Sequence, residues 1–124
     1  MKDISVIGND VSHIEIASVN FDQWILTIAL RIYDLNQSVK GMVHGIFKGV
    51  RGFRCLDEGD MLKFAFPREG ERKYVKVISE GGWLSQEIQF GNIVATGQKE
   101  YLVATDNECI CILACEHPVL VKEL

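Results

Sequence analysis

Apolar and polar positions alternate with a period of two along much of this chain, the signature of strands buried on one face. From Ser12 to Val19 the run is S-H-I-E-I-A-S-V, with Ile14 and Ile16 on one face and His13 and Glu15 on the other. The stretch Trp24 to Tyr33 is stronger. It puts Trp24, Leu26, Ile28, Leu30 and Ile32 on one face and Ile25, Thr27, Ala29, Arg31 and Tyr33 on the other, so at least one face belongs to a core. Asp34 to Ser38, D-L-N-Q-S, has the composition of a turn. Lys40 to Phe53 carries four glycines among apolar and basic residues, which disfavours a helix and suits a single twisted or bulged strand.

Beyond Phe53 the punctuation becomes denser. Asp57, Glu58, Gly59 and Asp60 form an acidic turn, since carboxylates next to glycine bond their own backbone and glycine accepts positive φ. Met61 to Phe66 is apolar but too short for its period to decide between strand and capped helix, and Pro67 ends it. Arg68 to Arg72 reads as a hairpin turn and Lys73 to Ser79 as a strand. Gly81 and Gly82 break the chain before Trp83 to Phe90, where Trp83, Glu87 and Phe90 stand at helical spacing and a short helix is expected. Tyr101 to Thr105 and Cys109 to Cys115 pair as a hairpin across Asp106 to Glu108, and a last extended piece follows Pro118.

Seven or eight strands at short spacing with one or two short helices predict a mostly β, β-rich α+β fold, an antiparallel sheet arranged as a sandwich or half-barrel. The length of 124 residues fits a single globular domain, residues 1–124, able to bury about two-thirds of its unfolded surface around one core without a disulfide or metal.

Charge narrows the partners. The chain has 13 basic and 17 acidic residues, net −4, divided evenly as 6 against 8 up to Leu62 and 7 against 9 beyond it. An acidic surface repels phosphate backbones, so nucleic acid is an unlikely partner and a basic protein a better one. The stretch Lys40, Lys48, Arg51 and Arg54, interleaved with Phe47 and Phe53, would stack bases if it lay on one sheet face; otherwise its arginines pair with the neighbouring acids. The first residues lack a secretory signal pattern, and no apolar run approaches a membrane span, so a cytoplasmic location is expected.

Candidate chemistry is sparse. Cys55, Cys109, Cys111 and Cys115 are read as reduced thiols. The last three would share one strand face, but C-x-C on a strand spreads its thiols by about 7 Å, poor geometry for zinc, so they are expected to pack as small apolar residues with no metal. His13, His44 and His117 show no ligand or triad spacing. No catalytic residue, enzyme activity or cofactor is expected. Acids at Asp57, Glu58, Asp60, Glu80 and Glu87 lie in the loops around Trp83, and a tryptophan ringed by carboxylates would anchor a basic protein surface.

The segments G-V-R-G-F-R-C-L-D-E-G-D-M-L-K-F-A-F-P at Gly49 to Pro67, G-G-W-L-S-Q-E at Gly81 to Glu87 and E-Y-L-V-A-T-D-N-E-C-I-C-I-L-A at Glu100 to Ala114 resemble small bacterial immunity proteins of contact-dependent growth inhibition and related polymorphic toxin systems. Those proteins share no catalytic motif, so the resemblance assigns no residue a role. It implies a cytoplasmic protein that binds the toxic C-terminal domain of a delivered effector, often a nuclease, and blocks it. An oligonucleotide- or ligand-binding β module is the alternative.

Overall fold

The alternating segments form nine strands in a computed structural model that describes residues 2–5, 11–57, 75–78, 83–84, 97–105 and 108–123. They are β1 (Lys2–Ser5), β2 (Val11–Asp22), β3 (Ile25–Asp34), β4 (Val39–Lys48), β5 (Val50–Asp57), β6 (Val75–Ile78), β7 (Lys99–Ala104), β8 (Glu108–Ala114) and β9 (Val119–Glu123). All pairings are antiparallel. A four-stranded sheet runs β2-β3-β4-β9, and a five-stranded sheet runs β1-β6-β7-β8-β5. The only helical residues among those described are Trp83 and Leu84, within the expected short helix; the rest of that helix and Met61 to Phe66 lie outside the described residues.

Period-two patterning becomes packing in the space between the sheets. Ile14, Leu26, Ile28, Leu30, Ile32, Val43 and Phe47 from one sheet join Val50, Val75, Tyr101, Val103, Ile110, Ile112 and Ala114 from the other in one buried cluster. The Phe47 and Tyr101 rings meet edge to face with centroids 5.8 Å apart, bridging the layers. The five-stranded sheet is also buried on its second face, where Leu102, Ala104, Cys109 and Cys111 form a separate cluster under Leu56 and Trp83. The expected single core is therefore two, because β7 and β8 are apolar at consecutive positions and need cover on both sides.

Two expectations about strand boundaries change. Lys40 to Phe53 is not one strand: Gly49, at φ +65°, turns the chain out of one sheet and into the other. A Cβ at that position would stand 3.2 Å from the Cys115 Cβ, while the Gly49 carbonyl accepts from the Cys115 N–H at 3.2 Å. Trp24 does not begin β3. It occupies the second place of the two-residue turn between Asp22 and Ile25, with Gln23 at φ +49° and Trp24 at φ +66°, the positive φ pair of a type I′ hairpin. The Asp34 to Ser38 turn is as expected: Asp34 Oδ1 accepts from Asn36 N at 2.9 Å and Ser38 N at 3.0 Å.

Candidate functional site

The sequence-expected contact residues fall in different settings. Asp57 is the last residue of β5, and Glu58, Asp60, Glu80 and Glu87 lie outside the described residues. Trp83 is half-buried on the outer face of the five-stranded sheet. Its ring occupies the space that Gly52 leaves open, since a Cβ there would lie 3.2 Å from Trp83 Cη2. The Arg54 guanidinium carbon sits 5.0 Å from the ring centroid. Beside it Leu84 N donates to the buried Glu100 carboxylate at 2.9 Å, fastening the segment to β7.

The same face explains the cysteines. In register, Arg54 opposes Cys111 and Leu56 opposes Cys109, so both thiols lie beneath the Trp83 segment. Cys109 holds its proton well above the ordinary thiol range, because it is hydrogen-bonded to Cys111 and buried. Cys115 departs from the shared face expected of it: the strand ends at Ala114, and Cys115 is exposed, accepting from Gln98 Nε2 at 2.6 Å. Cys55 is exposed as well. Among the described residues no three metal-ligating side chains converge. Of the four thiols, Cys55 and Cys115 are expected to react with a disulfide reagent in the native protein and Cys109 and Cys111 only on unfolding. Four fast-reacting thiols would contradict the second core.

The stretch from Lys40 to Arg54 does not present one face. Phe47 is fully buried between the sheets, Arg54 is turned to Trp83, and the break at Gly49 divides the remainder, so Phe47 is removed from any base-stacking row. A surface notch of about 330 Å³ is lined by Ser12, His13, Tyr33 and Gln37. Two of its hydroxyls are committed, Ser12 donating to the Asp34 carbonyl and Tyr33 to Glu15 Oε1 at 2.7 Å. Glu15, held by Tyr33 and then by Arg31, has its pKa lowered.

What does stand out to solvent is the tip of the β2–β3 hairpin. Every residue from Ser18 to Ile25 is exposed, including Val19, Phe21, Trp24 and Ile25. Trp24 is 62% exposed and Phe21 42%, large values for side chains that bury well. The rings are ordered among themselves: Phe21 meets Trp24 edge-on at 6.2 Å and Phe53 at 5.3 Å, and the Arg51 guanidinium carbon lies 6.0 Å from the Trp24 centroid. The backbone enforces this display, because Val50 N donates to the Trp24 carbonyl at 2.9 Å and ties the turn to the corner at Gly49. A bulky residue at positive φ costs on the order of 1–3 kcal/mol, a strain that clusters at functional surfaces. Sequence reasoning missed this corner, since Trp24 fits the alternation of β3 in line with Leu26. No local signal marks it, because Gln23 and Trp24 are not residue types that favour positive φ.

No protein-family model, curated protein sequence or solved structure matches the chain.

Proposed function

We propose that this protein is a binding protein without catalysis of its own, an immunity protein that neutralises a cognate bacterial toxin domain by occupying it. The observation that carries the reading is the exposed Trp24, met edge-on by Phe21, flanked by Arg51 and held outward at positive φ. Tryptophan and arginine are the residue types that dominate binding hot spots. The resemblance of Gly49 to Pro67, Gly81 to Glu87 and Glu100 to Ala114 to immunity proteins supplies the class of partner. Trp24 is a better anchor than Trp83, whose ring is half-covered by its own fold. The net charge of −4, to which Asp57, Glu58, Asp60, Glu80 and Glu87 contribute, speeds the encounter with a basic toxin domain.

Co-expression with the toxin domain encoded beside its gene tests the reading. Survival of the cells and recovery of a stoichiometric complex are expected. Reversing the charge of Asp57, Glu58 and Asp60 together should slow association about tenfold at low salt and less at high salt, while leaving the fold intact. Cell death at the rate seen without this protein, with no complex recovered, would refute it.

A further inference from the structure

Among the described residues the second side of β2 is an open sheet edge. In the four-stranded sheet β2 is the terminal strand, paired with β3 from Val11 to Asp22 and with no other described strand. Sheet edges of this length are usually blunted by lysine, proline or a bulge, because their unpaired N–H and C=O groups template another chain. Here the two register shifts lie upstream, between Val11 and His13 and between Ile16 and Ser18. From Ser18 to Asp22, S-V-N-F-D, the sole charge is the final aspartate, and all five residues are exposed.

Side chains along this edge alternate. Val19 and Phe21 are both exposed and share one face, and the Phe21 ring reaches Phe53 on β5, the edge strand of the other sheet. Two sheet edges thus flank an apolar strip that ends at Trp24 and Arg51. We infer that Ser18 to Asp22 receives an extended segment of a partner protein as an added strand, with apolar side chains at alternate positions over Val19 and Phe21 and a carboxylate against Arg51. Only a polypeptide backbone matches both the donor–acceptor repeat of the edge and its two-residue side-chain period. Arg51, exposed beside Trp24, sets the charge of the one residue it meets, an acid on an otherwise basic domain. The assignment rests on the immunity reading in one respect: it takes the segment to come from the toxin domain.

Panning a random peptide library displayed on phage against the full chain tests the edge independently of any toxin. Enriched peptides should alternate apolar residues around an aspartate or glutamate. N-methylation of alternate amides in such a peptide should weaken binding about tenfold or more, since each blocked amide removes a backbone hydrogen bond to the edge. Trp24→Ala, Arg51→Glu and, separately, Val19→Lys should each weaken it by a similar factor with an unchanged circular dichroism spectrum. Hydrogen exchange at residues 18–22 should slow in the complex. Peptides insensitive to N-methylation, no enrichment at all, or a dimer of the free chain with those amides already protected would overturn the inference. If the peptides bind and the toxin domain does not, the immunity reading falls and the edge assignment stands. If the toxin domain binds while residues 18–22 exchange freely, the reverse holds.

Discussion

Phe47→Ala is expected to lower the free energy of unfolding by about 3–5 kcal/mol, a large part of the 5–15 kcal/mol that holds a typical domain. Phe47 is fully buried, and its ring meets Tyr101 across the layers. Truncation loses the transfer energy of the ring and leaves a cavity that β strands, paired on both sides, relax into poorly. The denaturation midpoint in urea reports the effect, with the slope unchanged if the unfolded surface is the same. A loss below about 1 kcal/mol would mean that the two sheets do not pack through this residue.

Gly49→Val is expected to cost about 3 kcal/mol, from a β-branched residue forced to positive φ and from its close approach to Cys115. The two contributions separate by comparison with Gly49→Ala and with Gly49→Ala combined with Cys115→Gly. Removing the Cys115 side chain relieves only the contact, so the backbone cost of about 1–2 kcal/mol should remain. If Gly49→Ala alone is neutral by thermal denaturation, the corner is not held at positive φ.

The architecture was legible because alternation is a local code. Ile14 to Ile16 and Leu26 to Ile32 each announce a face, and the antiparallel sheets follow from short spacing between such runs. The breaks were less visible. At Gly49 a glycine among three others, Gly41, Gly45 and Gly52, carries the same letter whether it is a bulge, a corner or room for a tryptophan; only the position of Cys115 and Trp83 in space distinguishes these. Trp24 satisfies the β3 period by coincidence, and the Asp22-Gln23-Trp24-Ile25 turn lacks the Asn-Gly or Asp-Gly pair that marks type I′ hairpins. Cys115 continues the spacing of Cys109 and Cys111 by number, but the strand stops one residue earlier. The apolar burial of Cys109 and Cys111 was legible, and the exposure of Cys55 and Cys115 was not, since composition says how often a residue type is inside and nothing of where an edge falls.

The order in which strands become available during synthesis follows from the crossing at Gly49. β2, β3 and β4 are consecutive and form a meander from residues 11–48 as soon as they emerge. β5 comes next but must wait for β8, more than fifty residues later, for its strand partner among the described residues, and β4 waits still longer for β9. Until then the apolar face that carries Leu26, Ile28, Leu30, Ile32 and Phe47 has no opposite layer. Pairings of such sequence separation form slowly, because loop closure must precede any gain from contact. A nascent chain of this protein therefore carries an uncovered apolar sheet face over the interval between β4 and β8, the stage at which such a chain is most prone to aggregate.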